Sequence, residues 1–237
     1  MNVLIYRLPR SLSIVKPRSF CPKCKKPIPG YENIPIVSFL LLRGRCARCR
    51  TPISWQYPAV EALAGIVFLF LFLRYGPSFD LLFFLFFFYG LIVISGIDLT
   101  HQLIPDVISM PGIVLGIAYQ AINHNLLYGI IGAAFGGVLI LLIRVLGGWA
   151  YKKEVMGMGD VYLTAMIGAF VGFPNVILAI FIAAVFGAVT GIIYLSVTRK
   201  QRETPIPFGP FLSLGGATII VTRIELLNII TRFSANI

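Results

Sequence analysis

Charged residues are scarce in this chain: only 12% of its 237 residues are Asp, Glu, Lys or Arg, and only nine are acidic. Soluble domains average about 25% charged and about 45–50% apolar residues. Here 58% of the residues are hydrophobic, which excludes an ordinary soluble protein. A cleavable signal peptide is not expected, because residues 1–6 are too short for the apolar core of about 7–15 residues that such a peptide needs.

Long apolar runs take the place of the missing charge. A helix that spans a bilayer needs about 17–25 mostly apolar residues, and we place seven candidate spans at residues 57–73, 79–97, 103–122, 126–149, 159–173, 175–197 and 208–227. The sequence therefore predicts an all-α polytopic membrane protein with about seven transmembrane helices. Residues 1–56 are polar, basic and proline-rich, so we predict a small domain at 1–56 and a transmembrane domain at 57–237.

The basic residues are unevenly distributed. Eleven of the twenty Lys and Arg precede the first predicted span, and basic residues near span ends favour the cytoplasmic side. We therefore expect residues 1–56 in the cytoplasm and the C-terminus on the opposite side. Alternation also places a second basic group in the cytoplasm, made up of Lys152, Lys153, Arg199, Lys200 and Arg202. Topology thus explains the net charge of +11, and nucleic-acid binding is not expected.

All four cysteines lie in the first 56 residues, as the pairs Cys21/Cys24 and Cys46/Cys49 with 21 residues between the pairs. This spacing is typical of a zinc site in which four thiolates surround one ion. Disulfides are disfavoured in a reducing cytosol, and a thioredoxin-like redox pair would be accompanied by a βαβ pattern. We therefore predict a structural zinc ion, whose binding supplies folding energy to a segment too small for a large core.

Two of the few acidic residues lie at the ends of predicted spans. Asp98 ends one span, and Asp160 begins another directly after the glycines Gly157 and Gly159. Two spans separate the carboxylates, so both face the same side, which the charge distribution makes the cytoplasm. A run of 14 residues from Asp160 is only about 21 Å long, less than the bilayer core of about 30 Å, so Asp160 is expected below the interface.

An ionisable residue at that depth is costly and marks a functional site, although a carboxylate can also simply cap a helix N-terminus. Two carboxylates that approach closely can share a proton, so that one activates water and the other assists at a scissile carbonyl. This is aspartyl proteolysis, with Asp98 and Asp160 as its pair. Gly157 and Gly159, which have no Cβ, would let a substrate backbone approach.

These residues resemble the bacterial type IV prepilin peptidases, membrane aspartyl proteases related to the GxGD group. The matching segments are NVLIYRLPR, PRSFCPKC, IPIVSFLLLRGRCARC, YPAVEALAG, DLTHQLIPD, GMGD and PIPFGPFLSLG, in this order along nearly the whole chain. The resemblance implies that Asp98 and Asp160 are catalytic, that prepilins and pseudopilins are the substrates, and that the chain lies in the bacterial inner membrane. It also implies methylation of the new amino terminus with S-adenosylmethionine, for which Glu61 is a candidate residue.

Family members usually have a span before the NVLIYRLPR segment, and we expect this chain to begin with the tail of that helix. Two other functions stay open on the residues alone. A GxGD protease that cuts other membrane helices would pair GxGD with a YD motif inside a span, whereas Asp98 follows Ile97. A cation transporter would have no evident use for four cysteines. The pilin, secretion or DNA-uptake system served and the oligomeric state are left open.

Overall fold

The computed structural model describes residues 1–198 and 206–234. Over these ranges the regular structure is helical, and the α-helices, numbered in chain order, are α1 Asn2–Arg7, α2 Val37–Leu41, α3 Gln56–Tyr75, α4 Phe79–His101, α5 Asp106–Ile122, α6 Leu126–Tyr151, α7 Met158–Val171, α8 Asn175–Thr198 and α9 Gly209–Ser234. The predicted all-α class is confirmed. The basic residues Arg199, Lys200 and Arg202, and Pro205 at the start of PIPFGPFLSLG, lie outside the described residues.

Each of the seven predicted spans is a helix. Within the described ranges, four helices are long and apolar enough to cross a membrane: Gln56–Tyr75, Phe79–His101, Leu126–Tyr151 and Asn175–Tyr194. The other three, Asp106–Ile122, Met158–Val171 and Gly209–Thr222, are apolar but shorter. The chain is a multi-pass membrane protein whose spans differ in length.

The residues form two compact units, Met1–Val93 and Ile94–Ile237. In the first unit, two short hairpins carry the cysteines and are closed by isolated β-bridges between Phe20 and Pro27 and between Arg45 and Pro52. The expected domain boundary after residue 56 stays a prediction.

Helix α7 is the core of the second unit, where it contacts α5, α6, α8 and α9. Ten of its residues are buried, from Asp160 to Val171, so protein rather than lipid surrounds it. It ends where Gly172 adopts a φ of +75°, a left-handed conformation that favours glycine. A side chain there would also collide with the ring of Tyr128.

Small residues allow the helices around α7 to approach closely. On the α6 side, a Cβ on Gly132 would collide with the carbonyl oxygen of Gly168, and a Cβ on Gly168 would collide with that of Gly132. On the α5 side, the buried Gln120 donates its Nε2–H to the carbonyl oxygen of Phe170 at 2.7 Å. Close backbone approach and hydrogen bonds of this kind hold helices together in membranes, where the hydrophobic effect contributes little. Helix α7 is therefore fixed from two sides.

Candidate active site and cysteine cluster

Asp98 lies in the last turn of α4 and is 5% exposed. Its Oδ2 accepts a hydrogen bond of 2.8 Å from the backbone N–H of Gly209, the first residue of α9. The N–H groups of a helix's first turn have no acceptor within the helix, so the carboxylate satisfies one of them. The contact joins residues 111 positions apart and brings the start of α9 to the end of α4.

Asp160 is the third residue of α7 and is 9% exposed. Its Oδ2 accepts the N–H of Gly157, the residue before the helix, at 3.2 Å, so Asp160 also caps the helix N-terminus. Its Oδ1 is buried, and no group among the described residues hydrogen-bonds to it. A buried polar atom without a partner is uncommon in folded proteins and calls for an explanation.

Ile104, in the turn between α4 and α5, links the surroundings of the two carboxylates. A Cβ built on Gly159 would lie 2.6 Å from Ile104 Cβ, and one built on Gly209 would lie 3.3 Å from Ile104 Cδ1. Gly159 directly precedes Asp160, and Gly209 binds Asp98. The two carboxyl groups are also close enough for a negative charge on Asp98 to repel one on Asp160. The second unit therefore brings the two predicted aspartates to one small region.

The two glycines of GMGD have different surroundings. The space beside Gly159 is filled by Ile104, whereas a Cβ on Gly157 would make only ordinary contacts, 3.6 Å from Asp160 Oδ2 and 3.8 Å from Gly159 N. Gly157 has a φ of −75°, which other residues also adopt. Gly159 thus has a packing reason to be glycine, and the predicted role of both glycines in substrate approach stays a prediction.

The four cysteines form one cluster in the first unit. The sulfur atoms of Cys21, Cys24, Cys46 and Cys49 all lie within 4.8 Å of one another, and those of Cys21 and Cys49 are 3.8 Å apart. Four sulfurs at about 2.3 Å around a tetrahedral zinc ion would lie about 3.8 Å from each other. None of the four is in a disulfide. The cluster can hold a metal ion, and its dimensions fit zinc.

The hairpins also prepare the thiols for metal binding. Hydrogen bonds with the side chain and the backbone of Thr51 lower the pKa of Cys49 to about 6. Backbone N–H groups of Cys49 and Arg48 lower the pKa of Cys46, whereas burial raises the pKa of Cys21. Because the thiolate is the metal ligand, Cys46 and Cys49 are the ligands most readily available at neutral pH.

Glu61 lies in α3 within the first unit. Its Oε2 accepts the backbone N–H of Ile36 at 2.8 Å, and its Oε1 accepts a hydrogen bond of 3.4 Å from Asn2 Nδ2. Ile36 has a φ of +61°, which is strained for a β-branched residue. Through these contacts Glu61 connects α3 with α1 and with the turn before α2. Its role in methyl transfer stays a prediction.

Three residues have contacts at or beside the site that the sequence did not predict. Gly209 binds Asp98, Ile104 lies beside Gly159, and Arg144 donates to the carbonyl oxygen of Met156 at 3.0 Å and pairs with Glu154, also at 3.0 Å. The Arg144 contacts hold the segment that leads into GMGD. A glycine followed by proline at the start of α9 was a usable signal for Gly209, because proline is favoured in a helix's first turn. The Ile104 contact depends on tertiary packing alone.

The fold and these clusters define a polytopic helical membrane protein with a tetracysteine module and a pair of buried aspartates. Residues 1–75 match the bacterial peptidase A24 N-terminal domain, and residues 85–192 match the type IV leader peptidase family. The chain belongs to the type IV leader peptidase family.

Three similar proteins all have the name prepilin leader peptidase/N-methyltransferase. The protein from Legionella pneumophila is 34% identical, over 91% of this chain and 84% of its own length. That from Stutzerimonas stutzeri is 36% identical, over 87% and 72%. That from Pseudomonas aeruginosa is 33% identical, over 91% and 83%. No solved structure matches the chain.

Proposed function

We propose that this protein is an aspartic endopeptidase of the bacterial inner membrane that removes the leader peptide of type IV prepilins and pseudopilins. Asp98 and Asp160 are its catalytic pair. The observation that supports the proposal is that both carboxylates are buried and that Gly159, beside Asp160, and Gly209, which binds Asp98, both pack against Ile104. The names of the relatives supply the substrate class.

Peptide hydrolysis at such a pair needs no covalent enzyme intermediate. One carboxylate takes a proton from a water molecule, whose oxygen attacks the scissile carbonyl carbon while the other carboxyl group donates its proton to the carbonyl oxygen. The tetrahedral species, which carries two hydroxyl groups, then collapses. The C–N bond breaks, the proton taken from water passes to the leaving amine, and one hydroxyl proton returns to the carboxylate that donated its own. The pair returns to its starting state with one shared proton.

The reaction takes place at the cytoplasmic end of the spans. Eleven basic residues lie before the first span, which favours the cytoplasm for the cysteine-containing segment and, by alternation, for both aspartates. A prepilin has a short basic leader in the cytoplasm followed by an apolar helix in the membrane. Its scissile bond therefore lies at the depth of Asp98 and Asp160.

The protein also methylates the amino group that cleavage exposes, as the relatives' names indicate. When bound, S-adenosylmethionine supplies an electrophilic methyl group for this second reaction. Glu61 is the candidate residue for it, although both of its oxygens already accept hydrogen bonds within the first unit. The tetracysteine cluster binds structural zinc, because its sulfur separations match a tetrathiolate site.

The cleavage proposal is tested with the full chain in lipid vesicles and a purified prepilin, read by product mass. Asp98→Asn and Asp160→Asn are each expected to lower the cleavage rate by at least about 100-fold, since each removes a group needed for acid–base catalysis. Asp106→Asn is the matched control, because Asp106 is exposed in the first turn of α5. Wild-type cleavage by both dyad variants would overturn the proposal.

A further inference from the structure

The two aspartates have unequal hydrogen-bonding surroundings. Both accept one backbone N–H, Asp98 at 2.8 Å from Gly209 and Asp160 at 3.2 Å from Gly157. They differ in their remaining oxygens. In the described part of the chain, three buried side-chain atoms have no hydrogen-bond partner, and Asp160 Oδ1 is one of them. Neither oxygen of Asp98 belongs to this group.

We propose that the amide of Gly209 at the start of α9 positions Asp98 and divides the roles of the pair, so that Asp98 takes the proton from water and Asp160 donates one to the scissile carbonyl. This inference rests on the proposed peptidase function and deepens it. It adds Gly209 as a positioning residue.

The contact from Gly209 favours a negative charge on Asp98. The first N–H groups of a helix lack internal acceptors and form the positive end of the helix dipole. The hydrogen bond is short and buried, so it holds one carboxylate oxygen in a fixed direction. A carboxylate held in this way is suited to accept a proton from water.

Asp160 also accepts an N–H at a helix N-terminus, but its second oxygen, Oδ1, is buried without a hydrogen-bond partner among the described residues. A charged oxygen buried without any donor is strongly unfavourable, whereas a protonated carboxyl group is tolerated and has a proton to give. Two neighbouring carboxylates do not both ionise readily, and the charge of Asp98 acts on Asp160. Oδ1 of Asp160 is therefore the atom from which a scissile carbonyl would receive its proton.

The position of Gly209 leaves no room for a side chain. A Cβ there would lie 2.7 Å from Asp98 Oδ2 and 3.2 Å from Asp98 Cγ. The nearest atom is the end of a mobile side chain, so Gly209→Ala displaces the carboxylate while the helix can stay in place. The same substitution at Gly216, also in α9, puts a Cβ 2.9 Å from Ile167 Cγ2, and it is a matched control away from the aspartates.

The first experiment compares the steady-state kinetics of the full-chain variants, normalised to folded protein. Gly209→Ala is expected to lower kcat by about 100-fold, as small misplacements of catalytic groups do, with little change in KM. Gly216→Ala is expected to keep the wild-type kcat. Wild-type kcat in Gly209→Ala, or equal losses in both variants, would overturn the positioning role even if Asp98→Asn and Asp160→Asn are inactive. Activity in both of those variants would instead refute the peptidase assignment itself.

The second experiment assigns the roles directly by mass spectrometry of labelled protein. A diazo ester first takes a proton from a carboxylic acid and then alkylates it, so it is expected to label Asp160. An epoxide is attacked by an ionised carboxylate, so it is expected to label Asp98. Gly209→Ala is expected to lower the epoxide labelling of Asp98 several-fold. Diazo labelling of Asp98 with Asp160 unlabelled would overturn the division of roles.

Discussion

The contact between α6 and α7 predicts that one added methyl group at Gly132 destabilises the protein. A Cβ there would collide with the carbonyl oxygen of Gly168 and lie 2.8 Å from both Cα and C of Gly172. These are backbone atoms, which cannot rotate away. Ordinary contacts of a Cβ begin at about 3.4 Å, so the two helices must separate by at least about 0.6 Å, enough to lose about a quarter of the dispersion energy along the contact. Overpacking of this kind costs about 1–3 kcal/mol.

Gly137, five residues further along α6, supplies the control. A Cβ on Gly137 would lie 3.4 Å from Ala165 Cβ, which is an ordinary contact. Alanine is also better than glycine in a helix, by about 1 kcal/mol. Gly137→Ala is therefore expected to leave stability unchanged or to raise it slightly.

The assay is reversible unfolding of purified protein in mixed micelles, followed by far-UV circular dichroism as the fraction of denaturing detergent rises. Gly132→Ala should unfold at a lower fraction than Gly137→Ala. Because α7 carries Asp160, Gly132→Ala should also slow prepilin cleavage in vesicles. The close-packing argument would be refuted if Gly132→Ala were as stable as Gly137→Ala.

Two further predictions concern the first unit. Purified protein should contain about one zinc per chain, and Cys46→Ser should lose it. The zinc affinity should fall as the pH drops, and more steeply below about 6, where protons also compete for the Cys49 thiolate. Absence of zinc from unchelated wild-type protein would count against the site. Glu61→Gln should keep prepilin cleavage but abolish methylation of the product, read as the loss of the added methyl mass, and full methylation would remove Glu61 as a candidate.

The all-α class, the seven helices α3 to α9 and the cysteine cluster could be predicted because each depends on local sequence. Apolar runs define the spans. The two CxxC pairs bring their sulfurs together through two similar hairpins, in which the carbonyl oxygen of Cys21 accepts the N–H of Lys25 and that of Cys46 accepts the N–H of Arg50. Most helix ends were also close to expectation, although α9 continues to Ser234, seven residues beyond the predicted end at 227. The predicted span 159–173 corresponds to α7, Met158–Val171.

The partners of the aspartates could not be predicted, because they come from distant parts of the chain. The N–H of Gly209 binds Asp98, which is 111 residues away in the chain, and no sequence periodicity predicts such a contact. The salt bridge of Glu154 with Arg144, ten residues away on α6, has the same origin. Charge counts indicate which side a residue faces, but not which neighbour it finds.

The shortness of α7 has a consequence for the supply of water to the reaction. Its 14 residues span about 21 Å, about 9 Å less than the hydrocarbon layer. Because protein rather than lipid surrounds α7, the missing length would leave room for water between the neighbouring helices and not a thinned bilayer. Asp160 lies at one end of this helix, so water in this space, the second reactant of hydrolysis, would reach the scissile bond of a substrate that is embedded in the membrane.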